Sequence, residues 1–109
     1  MFNLSEMMNK LQEMQQTMAH ARERLNEIIV EGESGGGMVR VTATAAKRVQ
    51  KIHIDAEAMQ DTEMLEDLIC AAVNAAMDRA EQRSQEELQQ VTGGMLPNLP
   101  GMDLSKFGL

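Results

Sequence analysis

Met38-Val39-Arg40-Val41-Thr42-Ala43-Thr44 and Gln50-Lys51-Ile52-His53-Ile54-Asp55 are two stretches in which apolar and polar residues alternate with period two. Such alternation marks a strand with one buried face. Val39, Val41, Ala43, Ile52 and Ile54 are expected inward, and Arg40, Thr42, Thr44, Lys51 and His53 outward. Ala45 to Arg48 is then a hairpin loop of about four residues, a length commonly built on a type I turn that does not demand glycine. Upstream, Ile28-Ile29-Val30 is a β-branched run leading into Gly32, so Ile29 to Glu33 reads as a short first strand. Gly35-Gly36-Gly37 joins it to the next. A phosphate cradle there would need a helix N-terminus and usually Lys-Ser or Lys-Thr after the glycines. A strand follows instead, so the glycines are read as a tight connection.

On the N-terminal side lies a long seam. Leu4, Met7, Leu11, Met14, Met18, Ala21, Leu25 and Ile28 follow one another at alternating spacings of three and four. That is an unbroken heptad pattern, which keeps one helical stripe facing a partner. Glu6, Lys10, Glu13, Arg22, Glu23 and Glu27 fall between and belong in water. Asn3 or Ser5 starts the helix, with Glu6 three residues after Asn3 as in a capping box. A helix of about 25 residues is roughly 37 Å long. A small domain cannot bury such a rod, so a second long helix of this chain or another copy of it must cover the seam.

On the C-terminal side, Asp61 or Thr62 caps a second helix. Leu65, Leu68, Ile69, Ala72, Val73, Ala76 and Ala80 form a stripe of helical period, rich in small residues towards its end. Cys70 sits among alanines and is expected to be a packed thiol. Glu81 to Glu87 contains no apolar residue, so the helix should run out into solvent there before Leu88 and Val91, and Gly93-Gly94 should end it. Residues 1–92 are expected to be one domain and residues 93–109, with Pro97 and Pro100, a flexible tail that could drape over a partner.

Composition sets limits. The 109 residues include no Trp or Tyr, and the two Phe residues, Phe2 and Phe107, sit near the chain ends. The interior must therefore be aliphatic, and a chain this size buries only about 60–70% of its unfolded surface. Association of two copies is the simplest remedy. A single Cys leaves no internal disulfide and suits a reducing cytoplasm. No apolar run approaches the roughly 18 residues of a membrane span. The net charge is −7, yet from Met38 to Ile54 there are Arg40, Lys47, Arg48, Lys51 and His53 and no carboxylate. His53 lacks a Cys or acidic neighbour at ligand spacing and His20 sits on the polar side of the seam helix, so both read as surface residues. No catalytic set, metal cluster or Walker loop is present, so no enzyme, cofactor or small-molecule substrate is expected. The architecture read from periodicity is α+β, in the order α-β-β-β-α, with a small antiparallel sheet and two long protruding helices.

The blocks Val30-Glu31-Gly32-Glu33-Ser34-Gly35-Gly36-Gly37-Met38-Val39-Arg40-Val41-Thr42, Ile52-His53-Ile54-Asp55, Met64 to Ala76 and Gly93-Gly94-Met95 together resemble the YbaB/EbfC family of bacterial nucleoid-associated proteins. The resemblance runs from about Leu4 to Met95. It implies a cytoplasmic homodimer of α-β-β-β-α subunits, shaped like tweezers, that binds double-stranded DNA in the nucleoid and affects gene expression. Ala45 stands where the family usually has Gly. The helix ends, which the family's shape puts against DNA, are usually richer in cations than Lys10, Arg79 and Arg83 make them here. These three, with Arg40 and Lys51 on the sheet, are the expected DNA contacts. Leu4, Met7, Leu11, Met14, Met18 and Leu25 are the expected dimer seam. The alternative is an acidic dimeric helical module that binds protein partners rather than DNA.

Overall fold

A computed structural model of the chain describes residues 3–93. Helix α1 spans Leu4–Leu25, strands β1, β2 and β3 span Ile29–Ser34, Val39–Thr44 and Val49–Ile54, and helix α2 spans Thr62–Gly93. The sheet is antiparallel in the order β1-β2-β3, giving the α-β-β-β-α order of an α+β fold. The expected tail lies outside the described residues apart from Gly93, the last residue of α2.

Asn3 caps α1, its Oδ1 accepting from the Ser5 amide at 3.0 Å. The helix stops at Leu25, so Ile28, expected on the seam, lies outside it. Three β-branched residues in a row favour extended backbone over helix, and Ile29 opens β1. Gly35–Gly37 make one 3₁₀ turn with φ of 61°, 65° and 93°, a left-handed run that only glycine adopts freely. The turn delivers the chain to β2, as a connection and not as a cradle.

The core lies between α2 and the first two strands. Val30, Val39, Val41 and Ala43 from the sheet meet Ala72, Ala76 and Ala80 from α2, with Ile54, Leu65, Leu68, Ile69, Val73 and Met77 packed around them. Gly32 is what lets the helix come so close. A Cβ there would stand 2.2 Å from the Ala76 amide nitrogen and 2.5 Å from the Ala72 carbonyl oxygen. Ser34 adds a tie, its hydroxyl donating to the Leu68 carbonyl at 2.6 Å. Asp61 caps α2, accepting from the Met64 amide at 3.2 Å. Before it a 3₁₀ turn, Ala56–Gln60, buries Ala58.

Three further expectations are corrected. Thr44, expected outward, is buried, because its strand end is covered where the chain turns, and its hydroxyl has no hydrogen-bond partner. Ile52 is on the apolar face opposite Val41 but stays 42% exposed, because α2 packs over β1 and β2 and leaves β3 uncovered. Cys70 is exposed: it lies on the face of α2 turned away from the sheet. A bulge also shifts β3, with Thr42 opposite Lys51 but Ala43 opposite Val49, so Gln50 is the extra residue. Val49 thereby joins Ile52 on the bare apolar face, 41% exposed.

Candidate nucleic-acid interface

Helix α1 meets the rest of the chain only through its last turns. Ala21 and Leu25 are buried, Met14 and Met18 are half-buried, and exposure rises to 56% at Leu11 and 71% at Leu4. Met7 is also open. The described fold is 71 Å long and 16 Å thick. An apolar notch on α1 is lined by Leu11, Met14, Gln15, Met18, Ala19 and Arg22. The seam residues therefore share one helix and one stripe, and its N-terminal half is bare within a single chain.

The expected DNA contacts fall into three places. Lys10 is exposed on the open half of α1, Arg79 is exposed on α2, and Arg40 and Lys51 share the outer face of the sheet. Register puts Arg40 opposite His53 and Thr42 opposite Lys51, and these four line a shallow depression with Glu31. That face is not purely cationic, since Glu31 and Glu33 of β1 lie opposite Thr42 and Arg40. His53 Nε2 also lies 3.1 Å from Asp55 Oδ1. Arg83 is half-buried and pairs with Glu86 at 3.1 Å, a neighbour one turn on.

The structure also gathers residues that spacing along the chain did not bring together. Arg24, at the end of α1, reaches Glu87 on α2 with Nη2 2.6 Å from Oε1. Lys47, in the β2–β3 loop, pairs with Glu81, and Gln85 donates to the other Glu81 oxygen at 3.2 Å. The Lys47 ammonium, by hydrogen bond and by charge, holds the Glu81 carboxyl below its usual pKa range. The loop closes as a four-residue turn, with the Lys47 amide donating to the Thr44 carbonyl at 2.9 Å. Lys47 itself takes φ of 66°, the left-handed conformation in which glycine is favoured. Ala45 is buried and its amide donates to the Ile28 carbonyl. The signal for this junction was the dense run of carboxylates from Glu81 to Glu87, which only the fold matches to distant cations.

Among the described residues no cluster of His, Cys, Asp or Glu is placed to hold a metal ion, and no helix is long and apolar enough to cross a membrane. The described residues form a small α+β domain with two long helices and cations spread over its surface.

The chain matches the profile of the YbaB/EbfC DNA-binding family over residues 1–95, and it belongs to that family. It is similar to a nucleoid-associated protein of Chlorobium phaeobacteroides, with 43% identity over 94 residues covering 86% of this chain and 85% of the relative. A nucleoid-associated protein of Xanthomonas campestris pv. campestris is 44% identical over 103 residues, covering 94% of this chain and 95% of that one. The crystal structure of an uncharacterised Helicobacter pylori protein shares the fold, with a TM-score of 0.68 at 22% identity, over 89% of this chain and all of the other.

Proposed function

We propose that the chain works in the cytoplasm as a homodimer that holds double-stranded DNA mainly through its phosphate backbone, affecting nucleoid organisation and gene expression. The single observation that carries the DNA assignment is the match to a DNA-binding family across residues 1–95. One domain over residues 1–92 carries the activity, with residues 93–109 as an appendage. Two bare apolar surfaces support association of two copies: the open half of the α1 seam at Leu4, Met7 and Leu11, and the uncovered third of the sheet at Val49 and Ile52. Contiguous apolar surface of this kind marks interaction sites. Met14, Met18 and Leu25 continue the same stripe towards α2.

Lys10, Arg79 and Arg83 are the proposed phosphate contacts on the helices, with Arg40 and Lys51 as auxiliary ones on the sheet. Reading base edges requires Arg, Asn or Gln on a rigid element seated in the major groove. The polar part of α2 carries Glu81, Glu86 and Glu87 there, and like charge opposes deep entry between phosphates. With about four to six phosphate contacts per dimer, the logarithm of affinity falls against the logarithm of salt with a slope of roughly −4 to −5. Titration of random duplex between low and high salt tests this, and Arg79→Ala should flatten the slope by about two, one contact from each protomer. Salt-independent binding, or one sequence held a thousandfold above random duplex, would refute it. The charge of −7 favours a second reading, an acidic module for protein partners. Absence of duplex binding at low salt would leave that one standing.

A further inference from the structure

Three cations from three different elements, the end of α1, the β2–β3 loop and α2 itself, pair with carboxylates along two turns of α2. Arg24, Lys47 and Arg83 each face one carboxylate of the Glu81–Glu87 stretch, with Glu87, Glu81 and Glu86 as their respective partners. Among the described residues these are the Lys and Arg side chains engaged in ion pairs, while Lys10, Arg22, Arg40, Arg48, Lys51 and Arg79 make none. The unpaired Arg22, Arg48 and Arg79 adjoin the same junction along the chain, two residues before Arg24, next to Lys47 and one turn before Arg83. The three carboxylates of the Glu81–Glu87 stretch are thus matched one to one by cations, two of them from distant elements.

We infer that Arg24 and Lys47 are each a contact for a phosphate of the DNA backbone, which Glu87 and Glu81 respectively oppose as internal competitors. The inference rests on the DNA-binding reading above. Arg24 and Lys47 are 57% and 52% exposed on their side chains, so their heads can turn to a phosphate without unpacking anything. Arg24 spends one terminal nitrogen on Glu87 and keeps the rest of its fork of donors. The Glu87 side chain, only 14% exposed, is the fixed partner, and Arg24 is the movable one. Exposed ion pairs are weakly held and screened by salt. A polyanion presenting successive phosphates can therefore take the cation, but it does so against a carboxylate that stays behind. The consequence is an affinity held below what the cation inventory allows.

Duplex titration at several salt concentrations tests this with the full chain carrying Glu81→Gln, Glu87→Gln, both together, or Glu63→Gln. The last removes an equal charge at the far end of α2, in its first turn. Each glutamine keeps the shape and removes the competing charge. Glu81→Gln should bind duplex more tightly than wild type and steepen the salt slope by roughly two per dimer, and the double variant by roughly four, because each freed cation adds a phosphate contact in each protomer. Glu63→Gln should leave the slope unchanged. Lys47→Met should weaken binding more in the Glu81→Gln background than in wild type, a coupling that a general charge effect does not produce. Thermal melts confirm folding, and should the double variant fail to fold, either single variant carries the test. Wild type that binds duplex while Glu81→Gln and Glu87→Gln gain no more than Glu63→Gln, or additive effects of Lys47→Met and Glu81→Gln, would overturn the inference alone. Wild type that binds no duplex at any salt would overturn the DNA reading together with it.

Discussion

Gly32→Ala would put a Cβ where the backbone of α2 already stands. The added Cβ would meet three backbone atoms of α2, the Ala76 nitrogen at 2.2 Å, the Ala72 oxygen at 2.5 Å and the Ala75 carbonyl carbon at 2.8 Å. Ordinary carbon contacts lie at about 3.5–4.0 Å. Relief therefore requires α2 to lift off β1 by roughly 1 Å, since no flexible side-chain end is there to swing aside. Lifting the helix opens the contacts of Ala72, Ala76 and Ala80 with Val30 and Val41, all in the core. A gap of about 0.5–1 Å forfeits a quarter to a half of each dispersion well, and overpacking of cores costs typically about 1–3 kcal/mol. Lower entropy of the unfolded chain offsets about 0.4–1 kcal/mol of that. A rigid backbone clash lies at the upper end, so the net loss is about 2–3 kcal/mol. At about 4–8 °C per kcal/mol for a domain of this size, the melting midpoint falls by about 10–20 °C. Far-UV circular dichroism on heating, with a urea midpoint beside it, measures the loss. Gly36→Ala is the internal standard, since its Cβ meets nothing within 4 Å and only its φ of 65° opposes the change. A Gly32→Ala midpoint within two or three degrees of wild type, at about half a kcal/mol, would refute the close-approach account.

Leu25→Ala should cost about 2–5 kcal/mol because Leu25 is buried where α1 joins the core. Leu11→Lys, at a site 56% exposed within one chain, should leave the subunit folded and shift sedimentation towards monomer; an unshifted dimer would remove Leu11 from the interface. Lys47→Met should return the Glu81 carboxyl upward into its ordinary range in an NMR titration, since Lys47 is the main cause of its depression. The sign follows: a depressed folded pKa contributes stability that is present above the ordinary carboxylate range and lost as pH falls through the folded value. The pair is exposed, so that contribution is small and fades with salt. Unchanged titration of Glu81 in the variant would dissolve the pair. Cys70 should react with a water-soluble thiol reagent in native protein at close to the rate in denaturant; strong protection would place a partner surface over that face of α2.

The strands, both helices and their order were legible because each carries its own period. Val39, Val41 and Ala43 alternate, and Leu65 to Ala80 repeat with the helical period. Period fixes which face is apolar but not what covers it. Ile52 and Val49 illustrate this: both lie on the apolar face, and both stay open because α2 crosses only β1 and β2. The depth of the helix crossing was hidden as well, since Gly32 in a Gly-rich stretch looks like part of a turn until Ala72 and Ala76 are seen against it. Cys70 was misplaced for a related reason. Alanines ring α2, and only those at Ala72, Ala76 and Ala80 face the sheet. Of the candidate contacts, Arg40 and Lys51 were legible as sharing one face by alternation. The pairs Arg24 with Glu87 and Lys47 with Glu81 join residues far apart in the chain, and no local pattern announces such a meeting.

The attachment of α1 by its last turns alone has a kinetic side. The two hairpins close over Gly35–Gly37 and over Ala45 to Arg48, so their pairing needs only short loops. Docking of α1 brings together residues 63 positions apart, Arg24 and Glu87. Long closures carry the larger entropy cost and come late in folding. Yet α1 leaves the ribosome before α2. At about 5–20 residues per second, its apolar stripe waits roughly 3–13 s before the part of α2 that receives it has been made. Over that interval the bare seam has only the interleaved charges of Glu6, Lys10, Glu13 and Glu23 beside it.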